Sequence, residues 1–188
     1  MAKACETNSP VEKMKYVITL IISSSYYMNL FLKPVSSKFI QLNPVIGETL
    51  QGSYADGTQI YCEQISHHPP ISYFLVVGPN LTYRYIGYYA FEANAGLNSM
   101  TLNNKGRRWF EFADGTRIDA NFNKETYAGV FMGSLRSEAI GSLTLKDEKN
   151  GIECEIKYGK MNKKYFYSYL RPSDYFKGTI NQKGKPVS

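Results

Sequence analysis

From Thr49 onwards the chain is divided into strand-length segments by closely spaced turn sequences, and this division restricts the possible folds more than any other feature. Turn chemistry recurs at residues 55–58, 78–80, 103–106, 113–116 and 149–151. Segments between these turns, such as 81–86 and 152–156, alternate apolar and polar residues. Strands that follow one another at about 8–12-residue spacing are typical of antiparallel meanders. We therefore predict a mainly β fold, an antiparallel meander that curls into a sandwich or into a complete or incomplete β-barrel.

The composition agrees with a sheet whose faces are partly buried. The chain has 188 residues, among them 16 tyrosines and 10 phenylalanines. Aromatic side chains are favoured on pleated, half-buried surfaces, and a chain of this length buries most of its apolar surface in one domain. Because the sequence shows neither an internal repeat nor a second domain, we predict a single domain over residues 1–188.

The segment before the strands carries the signals of a helix. Ser9 is a favourable N-cap, Pro10 suits the first helical position, and Glu12 completes a capping box. Apolar residues then recur at helical spacing on one face, namely Met14, Val17, Ile18, Ile21 and Ile22. We predict a buried amphipathic helix that ends near Ser25 and precedes the meander.

The charge balance favours an anionic partner. The net charge is +6 and the isoelectric point is about 9.1, which suits nucleic acid, an anionic membrane surface or a phosphorylated ligand, with a solvated basic surface as the alternative. The densest basic clusters are two residue pairs, Arg107-Arg108 and Lys163-Lys164. Since neither zinc-finger spacing nor a ribonucleoprotein aromatic motif is present, we predict no nucleic-acid partner.

Cysteine usage and hydropathy indicate the compartment. Cys5, Cys62 and Cys154 are odd in number and far apart, so a disulfide framework is not expected and a reducing compartment is favoured. The longest apolar run, residues 16–22, is much shorter than the ~20 residues of a membrane-spanning helix. We predict a soluble, cytoplasmic protein.

The only two histidines of the chain, His67 and His68, lie side by side before Pro69 and Pro70. Neighbouring residues of a strand point to opposite faces, so the two imidazoles can share one site only where the strand is interrupted. The prolines supply that interruption, because neither donates to a sheet ladder. We predict that the pair lies at a strand end, where it either binds an anion or is bonded into a turn.

Catalysis and metal binding are weaker interpretations of this segment. A nucleophile built from Ser66 and His67 would have diverging side chains and no further histidine as its base. A zinc site that used both histidines with Cys62 or Glu63 would lack ligand spacing and a fourth partner. We therefore predict no enzyme activity, no metal and no cofactor.

Residues 63–70, Glu-Gln-Ile-Ser-His-His-Pro-Pro, resemble the fingerprint of the oxysterol-binding-protein-related family of lipid-transfer proteins, usually Glu-Gln-Val-Ser-His-His-Pro-Pro. Residues 42–49 are similar to the second family signature, Lys-Pro-Phe-Asn-Pro-Leu-Leu-Gly-Glu-Thr, and residues 10–17 to the helix that precedes it. The signature positions that match are Asn43, Pro44, Gly47, Glu48, Glu63, Gln64, Ser66, Pro69 and Pro70.

The resemblance implies a ligand and its contacts. It implies that His67 and His68 hold the phosphate of phosphatidylinositol 4-phosphate, and that the backbone amides of Leu42 and Asn43 hold the rest of the headgroup. The lysine of the second signature falls at Ile40 here, and Lys38 is the nearby cation. The same barrel cavity in the family takes a sterol or another membrane lipid, which implies lipid transfer between membranes. The alternative is a degenerate module that recognises phosphoinositide or a protein partner without transport.

The resemblance covers about the first half of the family's domain. We therefore expect a domain that stops early, with an open strand edge in residues 165–169 or 176–180. Unpaired strand edges and uncovered apolar faces promote association, so self-association through this edge is a further expectation.

Overall fold

The computed structural model describes residues 1–31, 44–129, 132, 136–159 and 176–187, and the structural statements below concern these ranges. Helix α1 spans Ala2–Glu6 and helix α2 spans Pro10–Phe31. The strands in the described ranges are β1 (Thr49–Ser53), β2 (Gln59–His67), β3 (Pro70–Val77), β4 (Tyr83–Ala95), β5 (Ser99–Asn104), β6 (Arg108–Phe112), β7 (Arg117–Ala120), β8 (Lys124–Ala128), β9 (Arg136–Asp147), β10 (Ile152–Tyr158), β11 (Phe176–Gln182) and β12 (Lys185–Pro186). All their pairings are antiparallel. The predicted mainly β fold behind an N-terminal helix is confirmed.

Six strands pair in a closed ring. Strand β4 pairs with β6 through its first half and with β5 through its second half. From β5 the ladder runs through β8 to β9, and from β6 it runs through β7 to the same strand β9. Strands β3, β2 and β1 extend from β4 on one side, and β10, β11 and β12 extend from β9 on the other. The sheet is therefore ring-like at its centre and open at β1 and β12 within the described chain.

Helix α2 begins as predicted but is longer than predicted. The Glu12 amide donates to Ser9 Oγ at 3.4 Å, which confirms the N-cap. The predicted capping box is wrong, because the Ser9 amide donates to Thr7 Oγ1 at 3.2 Å and the Glu12 carboxylate accepts from Lys15 at 2.7 Å. The predicted end at Ser25 is wrong, because the helix continues to Phe31. The hydroxyls of the three serines at 23–25 donate to the carbonyls of Leu20 and Ile21, so these serines are accommodated inside the helix instead of ending it.

The main core lies between helix α2 and the sheet. Met14, Val17 and Ile21 of α2 are buried. They belong to one cluster with the buried residues of β6, β7, β9 and β10, namely Phe110, Phe112, Ile118, Ala120, Leu143, Leu145, Ile152, Cys154 and Ile156. Each such side chain contributes roughly 1.5–3 kcal/mol when it is fully removed from water. The predicted amphipathic character of the helix is confirmed.

A buried cation fixes the helix to a turn of the sheet. Lys13 is 2% exposed, and its ammonium group is bound to the carboxylate of Asp114 in the β6–β7 turn. The same ammonium group lies 4.6 Å from the centre of the Phe112 ring. Partial burial acts to raise the pKa of Asp114, but the hydrogen bonds from Lys13 and Thr116 outweigh it and lower that pKa to about 2. The ion pair is therefore present across the neutral range.

The turns between strands follow the sequence with two exceptions, the first being the turn predicted at 103–106, whose residues Asn103 and Asn104 belong to β5. Gly57, Gly115 and Gly151 have positive φ in the predicted turns at 55–58, 113–116 and 149–151, a conformation that glycine adopts without steric cost. The predicted strand at 81–86 begins later, because residues Pro79–Leu81 form a 3-10 segment in which the Leu81 amide donates to the Gly78 carbonyl at 3.1 Å. Strand β4 starts at Tyr83.

The three cysteines are free, as the sequence predicts. Cys154 is buried in the core, and burial raises the pKa of its thiol to about 11. The thiol is therefore protonated at neutral pH and acts as a small apolar side chain.

Of the two edge segments expected from the sequence, residues 165–169 lie outside the described residues. Residues 176–180 form most of β11, which pairs along its whole length with β10. On its other side β12 pairs only with Asn181 and Gln182. Within the described chain, the first part of β11 is thus an open strand edge.

Candidate functional site

The two histidines lie where the β2–β3 hairpin turns. Strand β2 ends at His67 and β3 begins at Pro70, and the peptide bond between His68 and Pro69 is cis. The imidazole ring centres are 4.8 Å apart with the planes inclined at 63°, and both side chains are exposed. The predicted interruption of the strand is confirmed, and it places both rings on one exposed rim.

A buried glutamine shapes the strand just before this rim. The pairing of β2 with β3 shifts between Gln64 and Ser66, which leaves Ile65 as a bulge. The Gln64 side chain donates to the Ser66 carbonyl at 2.7 Å and accepts a hydrogen bond from the Ser72 hydroxyl of β3. Because its amide is satisfied on both sides, Gln64 fixes the bulge that precedes the histidines.

The same glutamine joins the two signature segments. Its backbone amide donates to the Glu48 carbonyl at 3.0 Å, and its carbonyl accepts from the Gly47 amide at 2.8 Å. The Glu48 carboxylate accepts from the Val45 amide at 2.9 Å, which closes a turn directly after Pro44. Gly47 has φ of +80°, a conformation that a side chain would strain. The second signature is therefore packed beside the strand that carries the histidines.

The remaining predicted site residues divide into two groups. Glu63, Ser66, Pro69 and Pro70 lie on the same hairpin, with Glu63 opposite Tyr73 of β3. Lys38, Leu42 and Asn43 lie outside the described residues, as does Ile40. The structure thus brings together the histidines and the part of the second signature from Pro44 onwards. Among the described residues, no group of three or more His, Cys, Asp or Glu side chains has a geometry that would hold a metal.

A cavity of about 380 Å³ lies between the C-terminal half of α2 and the ring of strands. Its walls come from the helix, β4, β5, β6, β8 and the segment after β7, and they consist of Leu20, Ile21, Ser24, Ser25, Tyr85, Tyr89, Phe91, Leu102, Asn104, Arg108, Phe110, Phe122, Asn123, Glu125 and Tyr127. This volume falls within the range of small-molecule sites, about 300–1,000 Å³. The cavity is mainly aromatic and aliphatic, so it suits the apolar body of a ligand.

Tyrosines in the cavity wall are held in their neutral form. Burial, with a further contribution from Tyr85, raises the pKa of Tyr89 to about 12, against the opposing effect of Arg108. Burial and the neighbouring Glu125 carboxylate raise the pKa of Tyr127 to about 12. Both phenols therefore offer neutral hydroxyl groups to the cavity at physiological pH.

Arg108 is a cavity residue that sequence reasoning treated only as half of a basic pair. It is 8% exposed, and its guanidinium carbon lies 4.3 Å from the centre of the Phe122 ring. The alternation of β6 contained a signal for this burial, because Arg108, Phe110 and Phe112 occupy one face of the strand and all three are buried. Gly87 permits the approach of β6, since a Cβ there would lie 2.9 Å from Arg108 Cβ and 2.7 Å from the Arg107 carbonyl oxygen.

A ring-like antiparallel sheet with a helix over an apolar cavity defines a β-rich ligand-binding domain. The sequence matches the family described as oxysterol-binding protein over residues 1–187, and the chain belongs to that family. It is 34% identical to oxysterol-binding protein 9 of Dictyostelium discoideum over 94% of this chain and 41% of the relative. It is 26% identical to human oxysterol-binding protein-related protein 6 over 98% of this chain and 19% of the relative.

Solved structures show the same fold. The Osh1 ORD domain in complex with cholesterol superposes with a TM-score of 0.76 at 19% identity, over 96% of this chain and 40% of that chain. The Osh3 ORD of Saccharomyces cerevisiae in complex with PI(4)P superposes with a TM-score of 0.71 at 17% identity, over 97% of this chain and 50% of that chain. This chain therefore spans at most about half the length of these relatives. In the described residues, none of the helices is long and apolar enough to span a bilayer.

Proposed function

We propose that residues 1–188 act as a lipid-binding unit that recognises phosphatidylinositol 4-phosphate and encloses the apolar part of a lipid. The observation that carries the proposal is the convergence of His67 and His68, with ring centres 4.8 Å apart on an exposed rim. Two imidazoles at this separation can each donate an N–H to oxygens of one phosphate group.

Hydrogen bonds from the two histidines to a phosphate group are strong enough to make binding selective for a phosphorylated headgroup. Hydrogen bonds to charged groups contribute roughly 1.5–3 kcal/mol each, so two of them distinguish a phosphorylated headgroup from an unphosphorylated one. The sequence expectation that backbone amides of Leu42 and Asn43, with Lys38, complete the headgroup site is part of this proposal. The turn at Pro44–Glu48, which follows these residues directly in the sequence, supports the proposal because its hydrogen bonds to Gln64 hold it beside β2.

The cavity under α2 is the proposed place for the rest of the lipid. Burying an alkyl chain contributes about 0.8 kcal/mol per methylene, and the walls of the cavity are mostly apolar. We propose that a sterol or another membrane lipid alternates there with the phosphoinositide and that the protein moves lipid between membranes without chemical change. On this proposal the protein is cytoplasmic and contacts anionic membranes peripherally.

Extraction of labelled phosphatidylinositol 4-phosphate from liposomes tests the proposal. Replacing His67→Ala together with His68→Ala should reduce extraction by at least about tenfold, because a loss of ~1.4 kcal/mol already corresponds to that factor. The fold should persist, since both side chains are exposed. A control that removes two exposed cations elsewhere, Lys146→Ala with Lys157→Ala, should change extraction much less.

The possible outcomes separate the proposed functions. Unchanged extraction by the folded histidine variant would refute the assignment of the pair. Binding to phosphoinositide liposomes without extraction would support the alternative of a recognition module that does not transport. An equal loss in the lysine control would show that general charge attraction, rather than the histidines, governs binding.

A further inference from the structure

The cavity contains a buried cation, Arg108, that has no counterion among the described residues. Arg108 Nε donates to the Asn121 carbonyl at 3.1 Å, and Nη1 lies 3.5 Å from the Tyr85 hydroxyl. Nη2 is buried and has no hydrogen-bond partner. No acidic side chain within the described ranges forms an ion pair with Arg108. At least one pair of N–H donors of this guanidinium group is therefore unsatisfied.

Such an arrangement is costly in a protein interior. A buried charge without a partner is strongly unfavourable, and a buried donor without an acceptor adds to that cost. The ring of Phe122 offsets part of it by a cation–π contact, but an aromatic face accepts no in-plane hydrogen bond from Nη2. Among the described residues no carboxylate is in ion-pair contact with Arg108, although a guanidinium fork can bind an anionic oxygen group through two parallel hydrogen bonds.

Two other polar side chains of the cavity, Asn104 and Glu125, are already engaged in hydrogen bonds. The Asn104 side-chain oxygen accepts from the Ala90 and Gly106 amides, each at 2.9 Å. The Glu125 carboxylate accepts from the Tyr127 hydroxyl at 2.9 Å and is only partly buried. Arg108 is thus distinguished from the other charged residue of the cavity by its deeper burial and its free donors.

We propose that this cavity selects a lipid whose buried end carries an anionic oxygen group, and specifically a long alkyl chain that ends in a carboxylate. The inference rests on the proposed function in that it assigns the same cavity to a lipid. The apolar walls accept the alkyl chain, and Arg108 binds the carboxylate between Tyr85 and Phe122. A neutral hydroxyl can accept a hydrogen bond from Nη2 but cannot neutralise the guanidinium charge, so the site favours an acid over an alcohol or an ester.

Competition between a fluorescent long-chain fatty acid and its methyl ester tests the inference. The two probes share the alkyl chain and differ only in the charge of the end group. The unmodified protein should bind the acid at least about tenfold more tightly than the ester, the ratio that corresponds to ~1.4 kcal/mol. Arg108→Met should bring that ratio close to one, and Arg108→Lys, which keeps the charge but loses the planar fork, should give an intermediate ratio.

Arg117→Met is the matched control. Arg117 lies on the neighbouring strand β7, where its guanidinium group lies 4.9 Å from the centre of the Trp109 ring and binds Asp119. It resembles Arg108 in its stacking but does not line the cavity. The ratio of acid to ester affinity should be the same in this control as in the unmodified protein.

Folding of the variants is followed by thermal unfolding. Because Arg108→Met removes an unpaired buried charge, it should unfold at the same or a higher temperature than the unmodified protein. Added fatty acid should raise the unfolding temperature of the unmodified protein more than that of Arg108→Met, since only a ligand of the folded state stabilises it.

Four results would overturn the inference. Equal affinity of the unmodified protein for acid and ester would remove the selectivity, and a ratio unchanged in Arg108→Met would place its origin elsewhere. If phosphatidylinositol 4-phosphate is extracted but neither probe binds, this inference fails and the proposed function stands. If neither the probes nor the phosphoinositide bind, this inference and the proposed function both fail.

Discussion

The two sides of the sheet are stabilised in different ways. Strand β10 alternates strictly between buried Ile152, Cys154 and Ile156 and exposed charged residues, and its apolar face belongs to the core under the helices. Strand β1, at the other side, has every residue exposed, and Leu50 in it is 60% exposed. Further exposed apolar residues lie near it in sequence or across the ladder, namely Val45, Ile46, Tyr54, Tyr61, Ile65 and Tyr73.

This difference shows how stability and recognition are divided in the chain. The side with β6, β7, β9 and β10 carries most of the apolar core, whereas β1, β2 and β3 add one buried apolar side chain, Phe74, and are otherwise held mainly by ladder hydrogen bonds and by the side chain of Gln64. The histidines lie on the second side. The candidate headgroup site can therefore be altered with little loss of stability.

The largest expected effect comes from the same substitution, leucine to alanine, made once in the apolar core and once on exposed strand β1. Leu143→Ala removes a side chain that is 0% exposed and should lower the free energy of unfolding by about 2–5 kcal/mol. Leu50→Ala, at an exposed position, should change it by no more than about 0.5 kcal/mol. Urea unfolding of both variants measures the difference. Equal losses would mean that the β1 side is covered in solution, as self-association through this face would produce.

The second prediction concerns the ion pair between Lys13 and Asp114, which attaches α2 to the sheet. Asp114→Ala leaves the buried Lys13 ammonium group without its counterion and should cost about 2–3 kcal/mol, below the ~3–5 kcal/mol of fully buried pairs because the Asp114 side chain is 50% exposed. Lys13→Met leaves only the half-exposed carboxylate unpaired and should cost less than about 1 kcal/mol. Denaturant unfolding compares the two variants. A larger loss for Lys13→Met would show that the cation–π contact with Phe112, rather than the ion pair, is dominant.

The third prediction concerns the hydrogen bonds of the Gln64 side chain, which support the strand that leads to the histidines. Gln64→Ala removes the side-chain bonds to Ser66 and Ser72 and should lower the free energy of unfolding by about 1–2 kcal/mol. It should also weaken phosphoinositide binding, because the bulge before His67 loses its support. Gln51→Ala on exposed β1 is the control and should have neither effect. Intact binding by a destabilised Gln64→Ala protein would separate the geometry of the histidines from this network.

The smallest expected effect is a dependence of the free energy of unfolding on pH. The pKa of Asp114 is lowered from 3.8 to about 2, so the folded state binds this proton more weakly than the unfolded state does. The stability that the ion pair contributes is complete above the unfolded value and is lost as the pH falls through the folded value. Unfolding measured from neutral pH down to about pH 2 should show this loss in the unmodified protein and a shallower decrease in Asp114→Asn. Parallel curves would assign the acid sensitivity to other carboxylates.

Local signals in the sequence were sufficient for much of the fold. Interactions between neighbouring residues determine the glycine turns with positive φ, the N-cap at Ser9 and the alternation of β10. Each of these features was predicted correctly. The interrupted strand at His67 and His68 was predictable for the same reason, because proline acts on adjacent residues. The roles of these histidines, Leu42, Asn43 and Lys38 stay predictions.

Contacts between distant residues were not predictable in this way. Lys13 and Asp114 are 101 residues apart, and nothing local indicates that they meet. The cavity depends on where α2 crosses β4, β5, β6 and β8, which is a matter of packing. The predicted helix end at Ser25 was wrong because serine hydroxyls can bond back to the helix as well as interrupt it. Helix α1, Ala2–Glu6, is too short to produce a periodic pattern.

The closed ring of six strands has a consequence for the order in which the molecule can come apart. A strand at the end of a ladder can peel away after losing one neighbour, but each ring strand has neighbours on both sides along at least part of its length. Among the described strands, detachment can therefore start at β1, at β12 or at the open first part of β11, whereas release of a ring strand requires two of its ladders to break. The ring strands that line the cavity therefore keep their own pairings while the outer strands fray.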